Sequence, residues 1–144
     1  MAFKLSKKSL ARLEGVDPQL VTVVKLAIHK TKVDFGVICG ALVEKGASQT
    51  MKSKHLDGLA VDLMAFIGSR SSWELNLYDD IADAMAEAAR EVDVPIRWGA
   101  AWTVSNIAHF QGGSMEDAMN SYIDERRSQK RRPFIDGPHF ELVI

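Results

Sequence analysis

Apolar residues recur along this chain with two different periods, and the change of period marks out its elements. After Asp17-Pro18, an N-cap acceptor followed by proline at the first helical position, Leu20, Val23, Val24 and Ala27 fall at helical spacing and predict a helix to about residue 32. A shorter helix over 6–13 precedes it. Residues 33–39 are β-branched and aromatic as far as Gly40 and read as a strand. Over 58–66 the period falls to two, so Leu59, Val61 and Leu63 should face one way and Ala60, Asp62 and Met64 the other. Between these strands, 41–45 suggests a short helix and 46–54 a polar loop. Ser71 or Ser72 is expected to cap a long helix over 73–91, with Ile81, Met85 and Ala88 facing inward. A short strand over 95–98 follows, then a helix opened by the capping box of Ser114 and Asp117 and running to about 128, then a closing strand over 139–143. The expected fold is α+β: a small, mostly antiparallel sheet with helices packed on one side and the functional site on the sheet.

Composition narrows the function classes. A chain of 144 residues, 47% hydrophobic and 26% charged, without repeats or an interior linker, is expected to form a single domain over 1–144. Its net charge of −1 lacks the basic excess of a nucleic-acid-binding domain. The lone Cys39 cannot form an internal disulfide and reads as a small buried hydrophobe. Lys4, Lys7 and Lys8 are not followed by the apolar segment of a signal peptide, and no stretch is long and apolar enough to insert stably in a bilayer. The expectation is a monomer that stays in the cytoplasm unless another factor releases it. The basic run Arg126, Arg127, Lys130, Arg131 and Arg132 suits the negative end of the helix it closes.

Against this pattern two stretches carry chemistry. Ser53-Lys54-His55-Leu56-Asp57-Gly58-Leu59-Ala60-Val61-Asp62 puts a carboxylate among small and apolar neighbours on a strand face, where a metal ion is a good partner. Asp136-Gly137-Pro138-His139-Phe140-Glu141-Leu142 adds a second imidazole and a spare carboxylate. His55, Asp62 and His139 make up a zinc ligand set that leaves one position open for chemistry. Glu141, two residues past His139 on one strand, should share its face and support a ligand from behind. His29 has no partner at ligand spacing and reads as an ordinary histidine, and His109, in a loop-like region, reads as a non-ligand because the set is complete without it. Trp98 and Trp102, flanking Gly99-Ala100-Ala101, fit core packing and the wall of a substrate groove equally well.

Ser-x-His-x-x-Gly-x-Ala-x-Asp followed far downstream by Asp-Gly-Pro-His-Phe-Glu-Leu resembles the peptidoglycan-cleaving zinc peptidases. These comprise D-Ala-D-Ala carboxypeptidases and the L-alanyl-D-glutamate endopeptidases that bacteriophages use as endolysins. Leu13-Glu14-Gly15-Val16-Asp17-Pro18, Val33-Asp34-Phe35, Lys45-Gly46-Ala47-Ser48-Gln49-Thr50 and Ile96-Arg97-Trp98-Gly99 extend the resemblance to the phage branch over nearly the whole chain. It implies one catalytic zinc on His55, Asp62 and His139, Asp136 as general base, and Ser53 with Trp98 as substrate-binding residues. The substrate implied is the stem peptide of peptidoglycan, cut at the L-Ala/D-Glu bond; removal of a terminal D-Ala, or zinc-dependent wall binding without hydrolysis, are the alternatives. Two departures stand out. The acidic residue that many relatives carry near Ala101 is absent here, and the relatives' arginine-bearing segment after Gly40 has no counterpart unless Lys52, Lys54 or another nearby cation replaces it.

Overall fold

The computed structural model describes residues 3–39 and 58–143. Among them the element order is α1 (Lys7–Arg12), α2 (Pro18–Ala27), β1 (Asp34–Cys39), β2 (Ala60–Ile67), β3 (Arg70–Ser72), α3 (Leu75–Val92), β4 (Ile96–Trp98), α4 (Met115–Ser128) and β5 (His139–Leu142), with a 3₁₀ turn at Ile107–His109. The strands form one sheet in the order β1-β2-β5-β4, and β3 pairs with β2 beyond the reach of β5. Every pairing is antiparallel. The α+β architecture read from the sequence is the one observed. The short helix expected over 41–45, the loop over 46–54 and the side chain of Cys39 lie outside the described residues.

Local chemistry sets the boundaries. Asp17 accepts a hydrogen bond from the Gln19 N–H at 2.8 Å and Pro18 opens α2. The helix stops at Ala27 rather than near 32, because Thr31 turns the chain: its hydroxyl donates to the Val33 carbonyl at 2.7 Å and accepts from the Val33 N–H at 3.1 Å. Neither Ser71 nor Ser72 caps α3 as expected; both lie in β3, opposite Phe66 and Ala65, and the helix is preceded by Glu74. Gly68, at φ 63°, allows the two-residue hairpin that folds them back. Ser72 still marks the approach to the helix, accepting from the Glu74 N–H at 3.2 Å. For α4 the capping box of Ser114 and Asp117 is formed in full, and Asp83 of α3 accepts from the Met115 N–H at 2.8 Å.

The sheet has two unlike faces. Val61, Leu63 and Ala65 of β2, Ile96 and Trp98 of β4, and Phe140 and Leu142 of β5 pack into the core with Leu20, Val23 and Val24 of α2 and Ile81, Met85 and Ala88 of α3. Alternation sends Asp62, His139, Glu141 and Arg97 to the opposite face. The outer edge of β1 is fastened by α1, where Ser9 accepts from the Val37 N–H and Arg12 donates to the Val37 carbonyl, each at 2.9 Å. Among the described residues no helix is long and apolar enough to cross a membrane.

Candidate metal centre

Strand register brings the polar face to one point. Asp62 of β2 lies directly opposite His139 of β5, and Ala60 lies opposite Glu141. Opposed side chains on neighbouring antiparallel strands stand about 4.5–5.5 Å apart at Cβ, so the two are in reach of one another. Asp136 enters from the turn just before β5. Ligand atoms of Asp62, Asp136 and His139 all fall within 4.8 Å of one another.

His139 is held through both ring nitrogens. Nε2 is 2.8 Å from Glu141 Oε1 and Nδ1 is 3.2 Å from Asp62 Oδ1. Its side chain is 12% exposed, and Glu141 is buried. Burial lowers the imidazole pKa, but hydrogen bonds to Asp62 and Glu141, and then their charges, outweigh it and leave the group above its ordinary value.

Gly99 fixes the relation between Asp136 and His139. Its carbonyl accepts from the Asp136 N–H and its own N–H donates to the His139 carbonyl, both at 2.8 Å. The His139 N–H closes the turn onto the Asp136 carbonyl at 3.1 Å. A Cβ on residue 99 would stand 2.3 Å from that carbonyl oxygen and 3.0 Å from the His139 Cβ, so only glycine permits the approach. Trp98 supports the turn from the core side. Fully buried, it donates from Nε1 to the Gly137 carbonyl at 2.7 Å, so it presents no face to a substrate here.

Trp102 closes one side of the centre. Its ring lies 5.7 Å from the His139 ring and stacks at 6.2 Å on Phe134, and the Arg97 guanidinium sits 5.4 Å above it. Arg97 also donates to the Trp102 carbonyl. Among the described residues the buried Nε1–H of Trp102 has no acceptor. His29 is exposed. His109 is exposed too, 3.7 Å from Asp93 and outside the donor group.

The donor set suits a metal ion. With Glu141 accepting the Nε2 proton, the Nδ1 lone pair is left facing Asp62, the arrangement in which a carboxylate orients a ligating histidine. The 3.2 Å between Nδ1 and Asp62 Oδ1 is close to the roughly 3.3 Å separating two ligands on a tetrahedral ion of zinc size. His55, Ser53, Lys52 and Lys54 lie outside the described residues.

Sequence reasoning singled out Asp62, Asp136, His139 and Glu141, and the fold brings all four together. It quoted Arg97 and Gly99 only within the Ile96-Arg97-Trp98-Gly99 stretch and gave neither a role at the site. Gly99 acts through backbone groups and absent volume; the one available sign was its place between Trp98 and two alanines.

The phage L-alanyl-D-glutamate peptidase family matches residues 1–143 of this chain. The L-alanyl-D-glutamate peptidase of Escherichia phage T5 is 27% identical over 155 residues, covering 99% of this chain and all of that protein. Among solved structures, the Serratia marcescens L-Ala D-Glu endopeptidase ChiX is similar at a TM-score of 0.66 and 31% identity, over 98% of this chain and 90% of that one.

Proposed function

The chain belongs to the phage L-alanyl-D-glutamate peptidase family, and from that premise we infer that it is a peptidoglycan endopeptidase that cuts the L-Ala/D-Glu bond of the stem peptide with the help of zinc. The observation that carries the chemistry is the convergence of Asp62, Asp136 and His139 within 4.8 Å on the polar face of the sheet. Both similar proteins are named for this bond, which supports it over a terminal D-Ala.

In this reading His55, Asp62 and His139 would hold the ion. Bound zinc supplies Lewis acidity, polarising the peptide carbonyl and making water acidic enough to attack near neutral pH. The remaining work belongs to the protein. Asp136 accepts the proton of the attacking water as the new C–O bond forms, then returns it to the leaving amine nitrogen as the C–N bond breaks. Gly99 supports that transfer by tying Asp136 to the backbone that also carries His139. Glu141 keeps the proton of His139 on Nε2, so that Nδ1 remains a ligand nitrogen. Ser53 is assigned a hydrogen bond to the substrate peptide. Trp98 is assigned support of the 136–139 turn in place of substrate contact, in keeping with its burial.

The test is a digest of purified peptidoglycan with mass analysis of the new termini, run for the zinc-loaded protein and for Asp136→Asn. New amino termini at D-Glu are expected. Asp136→Asn should keep its metal and lose on the order of 10²-fold or more in rate. Release of free D-Ala would reassign the bond, and normal turnover by metal-loaded Asp136→Asn would reassign the base.

A further inference from the structure

An open cleft of about 520 Å³ lies between residues 103–106, the 109–112 segment and α4. Nothing in the metal-centre chemistry uses it. Its size falls within the roughly 300–1,000 Å³ typical of small-ligand sites. Thr103, Ser105, Gln111 and Ser121 line it with Phe110, together with one acidic residue, Glu125, and one imidazole, His109. Gly112 lets the Phe110 ring lie close against the backbone, since a Cβ there would stand 2.6 Å from Phe110 Cζ. Neither lysine nor arginine is among its described lining residues, so the cleft is poorly matched to a carboxylate or phosphate. Mainly uncharged donors and acceptors beside an aromatic ring, with one carboxylate to accept hydroxyl hydrogen bonds, suit a polyhydroxyl ligand bearing amides.

We propose that this cleft binds the glycan of the substrate, the N-acetylated disaccharide to which the stem peptide is attached. The proposal rests on the peptidoglycan reading above and draws on two further facts. The first is position. Thr103 directly follows Trp102, whose ring lies 5.7 Å from the His139 ring, so one wall of the cleft is continuous in the chain with a residue that flanks the metal centre. The second is the chemistry of the substrate. L-Ala is joined directly to the lactyl group of the amino sugar, so an enzyme that cuts after L-Ala must accommodate the sugar about one residue from the reacting carbonyl. One extended residue spans about 3.3–3.6 Å, and the lactyl group adds a similar length. A peptidase removing a terminal D-Ala works several residues further out and has no need of such a cleft beside its metal.

The experiment compares two substrates of the zinc-loaded protein: the stem peptide with a simple N-acetyl group, and the same peptide on its disaccharide. The disaccharide should lower KM about tenfold, the scale of one or two hydrogen bonds gained, with little change in kcat. Ser121→Trp, which fills the exposed cleft, and Gln111→Ala, which removes an amide from it, should each bring the ratio of the two KM values towards one. A ratio near one in the unaltered protein, or a ratio unmoved by both variants, would overturn the proposal. If the unaltered protein cuts neither substrate, the peptidase reading has failed, and an NMR titration with the disaccharide alone decides the cleft by itself. Shifts confined to residues 103–112 and 121–125 would support the site, and none at millimolar sugar would refute it.

Discussion

At the scale of single residues, the relation of Asp136 to His139 depends on a position that contributes no side chain. Gly99→Ala would drive a methyl group into the Asp136 carbonyl and the His139 Cβ, forcing the turn away from β4. The expected result is a folded protein with metal affinity lowered about 10- to 100-fold, the usual effect of disturbing the support behind a ligand, measured by competition with a chromogenic chelator. Unaltered affinity would show that the turn holds its shape without Gly99. The same residues show what the sequence could reveal. Asp62 and His139 were legible because a carboxylate on an otherwise apolar strand face is costly without a partner, and alternation says which way each points. Gly99 was not legible, because two backbone hydrogen bonds and an absent methyl group depend on which strand lies alongside. For Trp98 the letters allowed both a buried and a groove-lining ring, and its bond to the Gly137 carbonyl fixes it in the core.

At the scale of elements, periodicity identified the helices well where a cap or proline fixed the ends, as at Pro18 and Ser114. It overran α2 because Thr31 ends the helix through its own hydroxyl, and it missed β3 because a three-residue strand is too short to show a period. The junction of α3 with α4 carries a pH dependence. Asp79 is 6% exposed, and burial, followed by repulsion from Asp80, Glu116 and Asp83, raises its pKa from 3.8 to about 6. The fold therefore favours the protonated carboxyl, so holding the charged form at neutral pH costs stability. That cost is relieved as pH falls through about 6 and is gone below the unfolded value near 3.8. Asp79→Asn should stabilise the protein at pH 7 by on the order of 1–3 kcal/mol, with a gain that shrinks towards pH 4. Urea midpoints of both proteins across that range test it, and a pH-independent difference would remove Asp79 as the cause.

At the scale of the whole molecule, the donor group ties β2 to β5 and the turn before it, so a bound ion should stabilise the sheet as well as equip it. Stripping the metal is expected to lower Tm on the order of 5–10 °C, recovered on adding zinc. In stripped protein the raised pKa of His139 stabilises the fold below the ordinary 6.5 and ceases to do so as pH rises through the folded value, while protons compete with the metal at low pH. The loss of Tm should therefore be larger at pH 8 than at pH 6; the reverse order would count against His139 as a ligand. Sheet order carries one more consequence. β5 follows every other described element in the chain yet lies between β2 and β4, so until it arrives those two strands have no partner in common and the polar face lacks His139, Asp136 and Glu141. During synthesis the donor group of Asp62, Asp136 and His139 therefore cannot assemble before residues 136–142 have been made. Any chemistry that needs this group comes into being only when the strand between β2 and β4 is in place.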